Sequence, residues 1–370
     1  MAGIYVHIPF CARRCIYCGF FSTMREGEAA RYVNALCAEL RQRRDYLRGE
    51  TVKTVYFGGG TPSRLTPGQI GQVIEAIRSD YGLDSLEELT VECNPDDITP
   101  AYISALNRLG VNRISMGVQT FSDALLGFLG RRHTSDQAVA AVRACKESGI
   151  NNISIDLMYG LPGQTDDIQQ RDLEAAVSLD VSHISSYCLS YEEGSPLERM
   201  RNDGRITPAD DDLCAQMYER MCANLHQAGF DHYEISNFCR PGFHSLHNSS
   251  YWDGTPYLGV GAGAHSYNRT SRQWNPNDLD AYMSGIEQGA PEFQVEQLSA
   301  TDRYNEKIML SLRTSKGLNL SLLTPSDRKS LLESAHNMLS DGTLKFYDGY
   351  LSIPEKNMFI SDSIISSLFR

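Results

Sequence analysis

The chain has no apolar run approaching the roughly eighteen residues that a membrane-spanning helix needs. Its opening stretch, MAGIYVHIPF, has neither a basic start nor an apolar h-region. Secretion and membrane insertion are therefore not expected, and a cytoplasmic protein is. Positive charge is also in short supply. Lys and Arg number 34 against 46 Asp and Glu, a formal net charge of −12, which argues against a general nucleic-acid binder. No disulfide framework is visible. Beyond an opening group of three, the ten cysteines are scattered singly. Disulfide frameworks are a habit of short secreted chains, so these read as thiols in a reducing compartment.

What is present is a regular alternation. At 370 residues there is room for one large domain, or a large one plus a small one. GIYVHI, TVKTVYFGG, ELTVEC, NRISMGVQ, NNISIDLMYG and SHISSYCLSYE read as six strands, separated by helical segments. Two of those helices have clear starts, with Thr66 and Thr99 as N-caps, Pro67 and Pro100 at the first helical position, and Gly110 as a stop. Repeated strand–helix units imply parallel strands with crossover helices. The fold class is α/β, a barrel or part of one.

The strands carry a further signal. One row is apolar: Leu89/Val91/Cys93, Ile114/Met116/Val118, Ile153/Ile155/Leu157. The alternate row is small or polar: Thr90/Glu92, Ser115/Gly117/Gln119, Ser154/Asp156. Side chains alternate faces along a strand. If the apolar rows face the helices, the barrel interior is polar, and a polar lining is costly without a ligand or water to satisfy it.

After about residue 290 the pattern changes to two helices and a hairpin around Asp348-Gly349, suggesting residues 1–290 as the barrel region and 291–370 as a small winged-helix-like domain. From residue 295 onward nine basic residues face nine acidic ones, with no basic stripe, so a packing or lid role is expected rather than DNA binding.

FCARRCIYCGFFS, residues 10–22, places Cys11, Cys15 and Cys18 within eight positions and supplies no fourth ligand. A structural zinc site is closed by four ligands. Three thiolates suit a 4Fe-4S cluster whose fourth iron stays open to bind something else. Zinc completed by His7 is the alternative.

CARRCIYC after a first strand resembles the signature of the radical S-adenosylmethionine superfamily. That resemblance implies a partial six-stranded (β/α)6 barrel, and an open iron that chelates the methionine moiety of S-adenosylmethionine. IYVHIPFC, YFGGGTPS, VECNPDD, RISMGVQTF, GRRHT and DLMYGLPGQT are similar to the oxygen-independent coproporphyrinogen III oxidase group. Carried over residue by residue, the resemblance implies that Tyr5 and Tyr17 flank the cluster loop and contact the nucleotide. It implies that Gly59, Gly60 and Thr61 meet the methionine amino group, and that Glu92, Gln119, Arg131, Asp156 and Ser190 supply the remaining contacts.

Two features point away from the oxidase itself. Oxidases of the group carry another cysteine two residues after the third, and here that position is Phe20. HNSSYW, residues 247–252, resembles the H-N-x-x-Y-W motif of the HemW-type heme chaperone branch. This implies His247 as a heme ligand with Tyr251 and Trp252 packing on the porphyrin, in a loop near the barrel mouth. YLGVGAGAHSY, residues 257–267, reads as close backbone packing near a ligand, with His265 as a second heme contact. Three functions fit these residues. The first is a heme chaperone that delivers heme to an apo-hemoprotein, with a homodimer allowed. The second is a radical enzyme, including the coproporphyrinogen decarboxylation reaction. The third is a winged-helix regulator that senses through its cluster.

Overall fold

The computed structural model describes residues 1–370. The expected strands form as β1 (Ala2–Ile8), β2 (Val52–Gly59), β3 (Glu88–Cys93), β4 (Arg113–Gln119), β5 (Asn152–Tyr159) and β6 (His183–Cys188). They pair in sequence order, all parallel. The crossover helices are locally encoded. Thr66 and Gln69 form a capping box at the start of Pro67–Tyr81, and the Thr99 hydroxyl accepts from the Tyr102 N–H at the start of Pro100–Arg108.

The sheet is longer than six strands. A hairpin of β7 (Asp231–Glu234) and β8 (Asn237–Cys239) adds antiparallel to β6. On the other side β9 (Tyr257–Val260) lies parallel to β1, followed by antiparallel β10 (His265–Tyr267), β11 (Ser271–Trp274) and β12 (Gln294–Gln297). The glycine-rich stretch thus contains a strand that its alternation hides. Gly259 explains why: a Cβ there would lie 2.0 Å from the His265 carbonyl oxygen, so only glycine lets β9 and β10 approach.

The two rows of each strand divide as their chemistry requires. Leu89, Val91, Ile114, Met116, Val118, Ile153 and Ile155 are buried in one large apolar core shared with the helices. The alternate rows converge on the inside of the curved sheet, where a Cβ on Gly58 would meet the side chains of Tyr56, Tyr5 and Glu92.

The C-terminal segment packs helices Ala300–Leu312, Pro325–Ser334 and His336–Ser340 with a small sheet of β13 (Leu318–Asn319), β14 (Lys345–Tyr347) and β15 (Tyr350–Ser352). Asp348 and Gly349 both have positive φ, 48° and 81°, as the two-residue hairpin turn demands. Ile308, Leu312, Leu331 and Leu351 belong to the same apolar core as the barrel strands.

Candidate functional site

The cysteine loop leaves the carboxyl end of β1 and is pinned at several points. The Cys11 N–H donates to the Thr23 carbonyl at 2.9 Å, the Ile16 N–H to Leu129 at 3.2 Å, and the Leu197 N–H to Ile16 at 3.0 Å. Cys11 Sγ lies 3.3 Å from Thr61 Oγ1, and Arg131 Nη1 donates to Cys15 Sγ at 3.6 Å. Burial pushes the Cys11 and Cys18 thiols up, so their ionisation calls for a cation. The three sulfurs do not converge within 4.8 Å of one another. Three thiols with no fourth protein cysteine beside them suit a cluster that keeps one iron open. The position where a further cysteine would stand, Phe20, is an exposed side chain.

Around this loop the carboxyl ends of the strands gather the expected contacts. Gly59 has φ +109°, and a Cβ would sit 2.5 Å from the His7 ring; a Cβ on Gly60 would strike the Pro9 backbone at 2.8 Å. Glycine therefore keeps a cradle open beside Thr61. Glu92 accepts from the Tyr56 hydroxyl at 2.7 Å and from the Gly59 N–H at 3.1 Å. Burial, with the nearby Asp156 charge, pushes its carboxyl up to about 7. Asp156, beside Ser185 and Ser115, is pushed up to about 6, chiefly by burial. Two interior carboxyls, both pushed up toward neutrality by burial, mark a place prepared for hydroxyl or ammonium partners.

Gln119 takes a left-handed φ of 71° at a bulge in the β4–β5 pairing. A Cβ on Gly117 would fall 2.9 Å from Gln119 Nε2 and 3.3 Å from Arg131 Nη2. That glycine is what allows both side chains in. Arg131 is further held by Asn94 Oδ1 at 2.7 Å and the Gly117 carbonyl at 2.5 Å, while its Nε is buried without a partner. Tyr17 packs beside Cys15 and Arg131. Tyr5 faces the interior, its hydroxyl 3.1 Å from His7 Nδ1. Ser190 lies apart on an exposed loop and donates to Glu192 at 2.6 Å, although Glu192 itself lies against Gly19 of the cysteine loop. Tyr56 and Asn94 were not singled out from the sequence. Tyr56 lies on the alternate row of β2, so the row rule that named Gly117 on β4 could have found it.

HNSSYW behaves differently from its sequence reading. It forms the helix Leu246–Trp252 rather than a loop, and His247 is fully buried. It also sits at the opposite end of the barrel from the mouth. The His247 ring contacts Thr54 near the start of β2, its Nδ1 2.9 Å from Thr54 Oγ1, and its Nε2 is 2.9 Å from the Tyr251 hydroxyl. The Leu246 and His247 N–H groups donate to Glu88, the first residue of β3, at 2.8 and 3.0 Å. Burial, with Arg113 nearby, lowers the ring to about 3, so it stays neutral. Both ring nitrogens are engaged, and iron ligation requires at least the Tyr251 contact to open.

Tyr251 connects this floor to a cavity of about 560 Å³. The cavity runs from Tyr251 and Tyr257 past Tyr5 and His7 to Phe20 of the cysteine loop, with His265 and Trp274 forming its outer wall. The His265 and Trp274 rings stack, centroids 5.7 Å apart at 16°. Trp252 does not line this cavity, and its Nε1 is buried without a partner.

Residues 5–175 match the family model described as the radical SAM superfamily. The chain is 35% identical to the heme chaperone HemW of Mycobacterium tuberculosis, over 99% of this chain and 94% of that protein. It is 38% identical to the heme chaperone HemW of Lactococcus lactis, over 85% and 82%. The mitochondrial radical S-adenosyl methionine domain-containing protein 1 of mouse is 37% identical over 71% of this chain and 60% of its own length. The structure of coproporphyrinogen III oxidase from Escherichia coli superposes with a TM-score of 0.86 at 23% identity, covering 100% of this chain and 90% of that one. That likeness shows the shared fold. No helix is long and apolar enough to cross a membrane.

Proposed function

This chain belongs to the HemW family of the radical S-adenosylmethionine superfamily, and from that premise we propose that it binds heme and delivers it to an apo-hemoprotein. The observation that carries the reading is Tyr251. One side chain of the HNSSYW helix both holds His247 and walls the cavity beside the cysteine loop. The cavity falls within the roughly 300–1,000 Å³ that small-molecule sites occupy. It is lined by aromatic rings suited to a porphyrin face. Heme lies in this cavity. His265 approaches it from the outer wall, and His247 reaches it when Tyr251 turns aside. Trp252 supports the helix from behind rather than stacking on the porphyrin.

The neighbouring site holds the cofactors. Cys11, Cys15 and Cys18 hold a 4Fe-4S cluster, which when bound leaves one iron open to an amino-carboxylate chelate. Gly59, Gly60 and Thr61 receive the methionine amino group of S-adenosylmethionine, while Glu92 and Asp156 accept from its hydroxyls or ammonium. Gln119 and Arg131, with Ser190 at the rim, complete the polar wall, and Tyr5 and Tyr17 bound the nucleotide. The site and the heme cavity share Tyr5 and the Gly19–Phe21 loop, which gives the cofactor site a direct way to influence heme.

The test is a hemin titration of anaerobically reconstituted protein, followed by transfer to an apo-hemoprotein. Wild type should give a Soret band, and His247→Ala should weaken binding strongly with the iron content unchanged. His265→Ala should alter the band. Absence of heme binding by the wild type, or an unchanged spectrum and affinity in both variants, overturns the reading.

A further inference from the structure

A second group of metal-ligating side chains lies at the far edge of the sheet, away from the cysteine loop. Cys222 and His226 are four residues apart on the helix Asp211–Gln227, so they share one face. His232 is on β7, and Glu355 opens the short helical turn Glu355–Ile360 of the C-terminal segment. Among His, Cys, Asp and Glu, the ligand atoms of Cys222, His232 and Glu355 are the one set of three that lie within 4.8 Å of one another. Glu355 Oε1 is 2.8 Å from His232 Nδ1 and 2.7 Å from His226 Nε2.

The surroundings match those of a metal site. The His232 ring is fixed by stacking on Phe238, centroids 4.2 Å apart and 10° from parallel. Its Nε2 faces the Ile235 carbonyl at 3.4 Å, the backbone partner that a metal-bound imidazole uses for its remaining N–H. A neutral imidazole has one N–H, yet His232 faces an oxygen at each nitrogen. If Nε2 donates, the Nδ1 lone pair meets the Glu355 carboxylate with nothing between them, and a cation removes that conflict. The Tyr218 hydroxyl is buried with no hydrogen-bond partner and lies beside the Cys222 thiol, placed to donate to a thiolate. The His226 and Glu355 side chains are 43% and 45% exposed, so an ion has a way in.

We propose that Cys222 Sγ, His232 Nδ1 and Glu355 bind one divalent transition ion of the zinc class, with His226 Nε2, which lies outside that set of three but 2.7 Å from Glu355, moving in as the fourth ligand. One thiolate, two imidazoles and a carboxylate form the mixed tetrahedral set that zinc takes. Ligand atoms around zinc stand roughly 3.3 Å apart, so the present contacts of 2.7 and 2.8 Å open by about half an ångström. The ion joins the helix Asp211–Gln227 and the edge strand β7 to the C-terminal segment and is separate from the iron–sulfur cluster.

The test uses the full chain with its cluster in place. Zinc is added, excess is removed, and metal content is measured alongside X-ray absorption at the zinc edge. One zinc per chain, with one sulfur and three nitrogen or oxygen neighbours, is expected. Glu355→Gln changes a half-exposed residue and should leave the fold intact, yet weaken zinc at least about tenfold in a chelator competition. Cys222→Ala should remove the sulfur neighbour while iron content is unchanged. Cobalt in place of zinc should show a thiolate charge-transfer band that Cys222→Ala abolishes. No stoichiometric zinc on wild type, or zinc retained with its sulfur neighbour in Cys222→Ala, overturns the proposal.

Discussion

Replacing Glu92 with Gln should stabilise the cofactor-free protein above neutral pH while weakening S-adenosylmethionine. In the folded state the carboxyl holds its proton up to about pH 7, against an ordinary value of 4.5, mainly because it is buried. The folded chain therefore binds more protons than the unfolded chain between those values. The resulting stability is full below pH 4.5 and is lost as pH rises through 7. A shift of this size corresponds to roughly 3 kcal/mol. Water in the interior and shared titration with Asp156 reduce the expected effect to roughly 1.5–3 kcal/mol. Gln mimics the protonated acid. Its carbonyl can take the Gly59 N–H and its amide can donate to the Tyr56 oxygen, the two partners that Glu92 now has. Urea unfolding of apo wild type and Glu92→Gln at steps from pH 5 to 8 should give similar stabilities at the acid end. They should diverge in favour of the variant at the alkaline end. The same variant should bind S-adenosylmethionine about ten- to a hundredfold more weakly once the cluster is restored, having lost a charge-assisted hydrogen bond. Identical pH slopes for the two proteins, or a variant less stable at pH 8, would refute the reasoning.

The cluster assignment predicts that Cys11→Ser, Cys15→Ser or Cys18→Ser abolishes the visible iron–sulfur absorption of anaerobic protein. Cys37→Ala, Cys93→Ala and Cys145→Ala should retain it, since those thiols lie elsewhere. Gly59→Ala should disturb both stability and S-adenosylmethionine affinity, because φ is +109° and the new methyl would lie 2.5 Å from the His7 ring. Gly82→Ala, at φ +72° and ψ 143° with nothing within 4 Å, should cost about 1–3 kcal/mol in unfolding, because that backbone region is essentially reserved for glycine, and leave affinity unchanged.

The strand rows, the helix caps at Thr66 and Thr99 and the hairpin at Asp348-Gly349 were all legible in the sequence. Each depends on residues a few positions apart, and periodicity, capping and turn chemistry are local physics. The cysteine loop was legible for the same reason: its three ligands fall within eight residues. The inward-facing polar rows also pointed to Glu92, Gln119 and Asp156, because alternation along a strand is a backbone property. Three things were decided only by the tertiary structure. The strand β9 was hidden because Gly259 serves a neighbour's backbone rather than a side-chain pattern. The position of His247 depends on Thr54, 193 residues away, and on Glu88, 159 residues from it. No local rule could tell that the HNSSYW helix plugs the amino end of the barrel instead of guarding its mouth. Likewise Glu355 meets His226 across 129 residues and His232 across 123. Sequence determines which chemistry is available, but ligands that must converge from distant elements become a site only when the chain's long-range packing brings them within reach.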